Sequence, residues 1–75
     1  MAQFRDQEFI SKVGKNIVRI RNEKKITQEE LMDRTGLTLS QVGRIERAEV
    51  NTSISMIALI ARGLGVEPKE IFDFS

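Results

Sequence analysis

The sequence predicts an all-α fold, a compact bundle of five short helices. Two observations carry this expectation. Apolar residues recur every three or four positions along most of the 75 residues, the spacing of one helical face. No stretch alternates apolar and polar residues as a half-buried strand would, and no repeat or low-complexity segment interrupts the pattern. The expected helices lie near residues 7–25, 28–35, 39–47, 54–64 and 68–73. A chain of this length supports one modest core and not two. Residues 1–75 are therefore read as a single domain with its core over about 13–73, and residues 1–6, as far as Gln7, are expected to fray.

The first helix rests on Phe9, Val13, Ile17 and Ile20, spaced four, four and three apart as one apolar stripe. Gly14 interrupts it at a cost of about 1 kcal/mol against alanine, which implies either a weak point or close packing. The second and third helices come from Ile26 to Glu46, ITQEELMDRTGLTLSQVGRIE. Thr27 caps the second helix and Glu30, three residues on, closes a capping box, with Ile26 and Leu31 placed to staple across it. Gly36 supplies a left-handed residue to end that helix. The device then repeats, with Thr38 as cap, Gln41 closing the box, and Leu37 stapled to Val42. In the fourth helix Ser53 is the expected cap, Ile57, Ile60, Ala61 and Leu64 form the stripe, and Gly65 is the stop. Val66 and Ile71 staple the fifth across Glu67-Pro68, with Pro68 at the first helical position, where a missing N–H costs nothing.

Two capped helices separated by about three residues around a glycine meet the requirements of a helix-turn-helix. The usual task of that motif is to lay its second helix in the major groove of DNA. Composition narrows the alternatives. The chain contains no cysteine and no histidine, so it lacks a disulfide, a thiolate metal site, the commonest metal ligand and the commonest general base. No glycine-rich phosphate loop or metal-ligand spacing is visible, and Glu29 and Glu30 are explained by helix capping, so an enzymatic reading finds no support. No cofactor is expected. No apolar run approaches the ~20 residues of a membrane span and no signal-peptide pattern opens the chain, so a cytoplasmic protein is expected. The net charge is only +1, but residues 1–25 carry seven basic and three acidic side chains, a net of +4. This excess suits either a solvated helix face or a protein that touches few phosphates.

The third helix divides into two faces. At 100° per residue, Thr38, Val42, Ile45 and Glu46 fall on one side and face inward. Ser40, Gly43, Arg44 and Arg47 fall on the other, with Leu39 at its margin. Arg44 is the strongest candidate for reading a base, because its fork can bond guanine O6 and N7 together. Ser40 can pair with several bases, and Leu39 can touch a thymine methyl. Arg47, one turn later, suits a phosphate. Gly43 either allows close approach to the duplex or is a tolerated flaw. Gln41 has the chemistry of an adenine reader, but its capping-box role favours a structural function.

These residues together resemble the Cro/C1-type helix-turn-helix proteins, the XRE family of bacterial and phage DNA-binding proteins. The resemblance is carried by Ile17-x-x-Ile20-Arg21, Ile26-Thr27-Gln28-Glu29-Glu30-Leu31, Thr35-Gly36-Leu37-Thr38 and Val42-x-Arg44-Ile45-Glu46-Arg47. Asn51-x-Ser53, Ile57-x-x-Ile60-Ala61-x-x-Leu64-Gly65-Val66 and Ile71-Phe72 extend it. It covers roughly residues 13–73. It implies a five-helix bundle of the lambda-repressor-like type, double-stranded DNA as partner, and usually a homodimer on a palindromic site. It further implies that Gln28, with Thr27 and the start of the second helix, grips a phosphate, although glutamine is also simply a good helix former. Thr38 and Asn51 are further candidates for the DNA backbone. Lys15 and Arg19 are weaker ones. The resemblance pairs Arg21 with Glu46 as a partly buried salt bridge fixing the recognition helix, and Arg21 is also within the set that can reach a phosphate. Gly43 departs from the small polar residue usual in the family.

The expected dimer seam lies at the apolar end around Ile71, Phe72 and Phe74, with help from the fourth helix. The rival reading is a protein-interaction module, such as the antitoxin of a toxin-antitoxin pair, for which Phe4 and Phe74 are candidate contacts. Controllers of restriction systems are another role found among small family members.

Overall fold

The computed structural model describes residues 4–74. Five helices follow in order: α1 (Gln7–Glu23), α2 (Gln28–Thr35), α3 (Leu39–Glu46), α4 (Ile54–Leu64) and α5 (Pro68–Ile71). No strand occurs among the described residues. No helix there is long and apolar enough to cross a membrane.

Both capping boxes of the helix-turn-helix are formed. The Thr27 hydroxyl accepts from the Glu30 N–H at 3.0 Å, and the Glu30 carboxylate accepts from the Thr27 N–H at 3.3 Å. Thr38 and Gln41 repeat the exchange at 3.1 and 2.9 Å. Ile26, Leu31, Leu37 and Val42 are all buried in one core cluster, which fixes the chain's angle of entry into each helix. Gly36 and Gly65 end α2 and α4 in the left-handed conformation, at φ 78° and 75°. Ser53 caps α4 by accepting from the Met56 N–H at 3.0 Å.

Three helix ends differ from expectation. α1 stops at Glu23 rather than residue 25, and α3 stops at Glu46 rather than residue 47. Lys25 and Ala48 turn left-handed, at φ 58° and 60°, without a glycine. Ile26 N–H then reaches back to the Arg21 carbonyl and Glu49 N–H to the Arg44 carbonyl, both at 2.9 Å. These six-to-one bonds satisfy carbonyls that the helix end would leave open. α5 closes at Ile71 instead of residue 73, with Phe72 as its cap.

The start of the chain also departs from expectation. Asp6 caps α1, accepting from the Phe9 N–H at 3.0 Å. Arg5 and Gln7 donate to the Ala48 carbonyl at 3.3 and 3.0 Å, which ties residues 5–7 to the turn after α3. The expected fraying over residues 1–6 therefore does not extend to these positions, and Met1–Gln3 lie outside the described residues.

α1 packs on α3 and α5, α2 on α3 and α4, and α4 on α5. Val13, Ile17 and Ile20 of α1 enter the core with Ile57, Ile60, Ala61 and Leu64 of α4. Phe9, expected on the same stripe, is 45% exposed instead. It stacks on Phe72, with centroids 6.1 Å apart. Gly14 is a point of close approach, because a methyl there would lie 2.6 Å from the Glu46 carbonyl oxygen and 2.9 Å from that of Ile45. The bare backbone lets α1 press against the end of α3. Asn16, buried beside it, donates to the carbonyls of Glu70 and Ile71 at 2.9 and 2.7 Å and so fastens α5 to α1.

Candidate nucleic-acid interface

The outward face of α3 carries Leu39, Ser40, Arg44 and Arg47, all exposed, while Val42, Ile45 and Glu46 are buried on the opposite face. Gly43, placed on the outward set by its angle, is buried. The cause is Arg47, whose guanidinium folds back over the gap: a methyl on Gly43 would meet Arg47 Nη1 at 2.7 Å. Gln41 is exposed with its side-chain oxygen engaged by the Thr38 N–H. Thr27 and Thr38 stand exposed at the two helix starts, each with its hydroxyl accepting a backbone N–H. Asn51 is exposed in the loop between α3 and α4.

A partly buried polar triad sets the angle of α3. Arg21 of α1 grips Glu46 with two parallel bonds, Nε to Oε2 at 2.8 Å and Nη2 to Oε1 at 3.2 Å. Its Nη1 donates to the Ile26 carbonyl at 3.1 Å, which adds the turn before α2 to the assembly. The side chains are only 14% and 5% exposed. Gln28 at the start of α2 donates to Glu46 Oε1 at 2.8 Å. Thus α1, α2 and α3 meet at one carboxylate. Planar two-point pairing of this kind fixes orientation as well as distance. Every buried side-chain polar atom among the described residues has a partner.

A second cluster of charge, just beyond the same C-terminal end of α3, centres on Glu49. Its carboxylate accepts from Arg47 Nε at 2.6 Å and lies 3.9 Å from Arg44 Nε. The hydrogen bond from Arg47 is the first reason that the Glu49 carboxyl is held below its ordinary pKa, and the matching bond raises that of Arg47. Glu49, Asn16 and the Gln28–Glu46 bond carry no signal in the sequence that singles them out. Glu49 comes near the arginines only through the left-handed turn at Ala48, which no glycine marks.

The expected dimer seam needs one correction. Ile71 has no exposed surface and belongs to the core of its own chain. Phe72 is 42% exposed, and Phe74 is partly buried against Phe9 with ring centroids 5.5 Å apart. Ile54, at the start of α4, is 87% exposed. A groove of about 190 Å³ runs between them, lined by Phe9, Val50, Ile54 and Phe72. Phe4 is 86% exposed.

Comparison with known proteins gives the family and the fold. The model of the helix-turn-helix family matches residues 17–71. The immunity repressor protein of Bacillus phage phi105 is 37% identical over 59 residues, 79% of this chain but only 41% of the repressor. The chain thus spans less than half of that relative. The control protein C.BamHI of Bacillus amyloliquefaciens is 35% identical over 63 residues, covering 83% of this chain and 78% of the control protein. Among solved structures, the restriction-modification controller protein C.Esp1396I, a tetramer in complex with its natural 35 base-pair operator, superposes with a TM-score of 0.81. It is 37% identical and covers 87% of this chain and 86% of its own.

Proposed function

The chain belongs to the Cro/C1-type helix-turn-helix family, and on that premise we propose that it is a sequence-specific double-stranded DNA-binding transcriptional regulator. The observation that carries this is the exposed face of α3, held at a fixed angle by the partly buried Arg21–Glu46–Gln28 triad. A helix so anchored can enter the major groove as a rigid reader. Arg44 is assigned to a guanine, Ser40 and Leu39 to neighbouring base edges. Thr27, Thr38, Arg47 and Asn51 are assigned to the DNA backbone, where contacts set register rather than sequence. Gln28 joins them, since its amide nitrogen carries two hydrogens and only one serves Glu46. The positive end of α2 favours a phosphate at the same place.

One such helix reads only a few base pairs, so the regulator acts as a homodimer on a palindrome. Phe9, Ile54 and Phe72 supply the exposed apolar surface for an isologous seam. The regulator works in the cytoplasm and by binding alone, without catalysis. Selection of bound sites from a pool of random duplexes, at stated salt, tests the reading. The selected site should bind on the order of 10³ times tighter than mixed-sequence duplex. Equal affinity for both would defeat it.

A further inference from the structure

We propose that Glu49 is a specificity-determining residue, an internal counter-ion that holds Arg44 and Arg47 off the phosphates of non-cognate DNA. The inference rests on the DNA-binding reading of α3. Glu49 is bonded to Arg47 at 2.6 Å and lies 3.9 Å from Arg44, while all three side chains stay about half exposed or more. It is therefore a reachable anion placed beside the two cations of the recognition helix. The absence of a side chain at Gly43 completes the arrangement, because the Arg47 guanidinium rests over that bare backbone. Arg47 thus has a defined resting place on the very face that would meet the groove.

The consequence follows from how proteins bind DNA without reading it. Such binding is driven by release of counterions as cations neutralise phosphates, with a salt slope of about −0.9 per contact. An arginine already neutralised by Glu49 must first break that pair, so it gains less from an arbitrary phosphate. At the cognate site, Arg44 gives up a 3.9 Å exposed ion pair that makes no hydrogen bond and gains two hydrogen bonds to guanine O6 and N7. Glu49 therefore weakens non-cognate binding more than cognate binding. Its position beyond the end of α3, where the Glu49 N–H closes onto the Arg44 carbonyl at 2.9 Å, keeps the carboxylate within reach of both arginines.

The test compares wild type with Glu49→Gln on two probes, the duplex selected by the wild-type protein and a mixed-sequence duplex of equal length, across a salt series. Glu49→Gln should raise affinity for the mixed duplex about fivefold, near the ceiling for one exposed ion pair. Its salt slope there should steepen by about 0.9. Affinity for the selected duplex should rise less, so the ratio between the two falls. A plain loss of negative charge near DNA would also help binding, and a background carrying both Arg44→Ala and Arg47→Ala, read on the mixed-sequence duplex, separates the causes. There Glu49→Gln should lose most of its effect, whereas general charge would act equally in both backgrounds. An unchanged ratio, or the same gain on the mixed duplex with and without the two arginines, overturns the inference while the DNA-binding reading stands. A wild-type protein that selects no sequence overturns both.

Discussion

At Gly14 a single hydrogen in place of a methyl lets α1 touch the carbonyls of Ile45 and Glu46. Helix propensity alone says that Gly14→Ala should stabilise by about 1 kcal/mol. The contact says the opposite, since backbone oxygens 2.6 and 2.9 Å away cannot rotate aside. The expected outcome is a net loss of about 1–3 kcal/mol, as for other overpacked sites, read from denaturant midpoints. A stabilised variant would show that α1 can shift freely. Glu46 is the second decisive residue. Glu46→Ala leaves the Arg21 guanidinium, 14% exposed, with only the Ile26 carbonyl. The loss should approach the ~3–5 kcal/mol of a broken buried pair and exceed the ~0–1 kcal/mol of a surface one. A melt like that of wild type would show that the triad does not hold α3 in place. On the DNA side, Arg44→Ala should cost about 1–3 kcal/mol and relax preference at one or two base positions. Gln28→Ala should instead weaken all sequences alike. Intact sequence preference in Arg44→Ala would end its assignment as a base reader.

The elements were legible where side-chain chemistry is local. A Thr followed three residues later by Glu or Gln, and a glycine at a left-handed stop, each mark an end of a helix by themselves, and α2 and α4 fall on residues 28–35 and 54–64 as expected. Ends built without such residues were not legible. Lys25 and Ala48 take the conformation usually left to glycine, held by the six-to-one bonds of Ile26 and Glu49 and by the burial of Ile26 and Ala48. The outward face of α3 could be drawn from angle alone, but the folding of Arg47 over Gly43 could not, because it depends on Glu49 from beyond the turn. Asn16 was hidden for a similar reason, since its partners are 54 and 55 residues away. It gives α5, four residues long and marginal alone, a reason to stay docked. Asn16→Leu should leave two carbonyls without that donor and cost about 1–3 kcal/mol. Hydrogen exchange should speed up first at the amides of α5. Unchanged protection there would mean that Ile71 alone secures the helix.

For the whole molecule the decisive quantity is the surface left for a second copy. The chain exposes 5126 Å², and a stable interface takes roughly 800 Å² from each partner. Phe9, Ile54 and Phe72 are too few to supply that area, so a seam centred on them would also need the outer face of α4. Ile71 cannot contribute, being fully buried, and truncation before it would open the core rather than separate the subunits. Ile54 is the informative position. At 87% exposure it contributes little to the fold, so Ile54→Glu should leave the thermal melt of the isolated chain within about 0.5 kcal/mol of wild type. In a seam the same carboxylates would face each other across the two-fold axis or be desolvated against Phe72, and either is unfavourable. Sedimentation should then shift from dimer to monomer. Binding to a full palindrome should fall toward that of a single half-site, because the two recognition helices would no longer be held one duplex turn, about 34 Å, apart. If Ile54→Glu sediments as wild type does and keeps its preference for the full palindrome, the seam lies elsewhere. If wild type stays monomeric at high concentration and binds a half-site as tightly as the palindrome, there is no dimer to place.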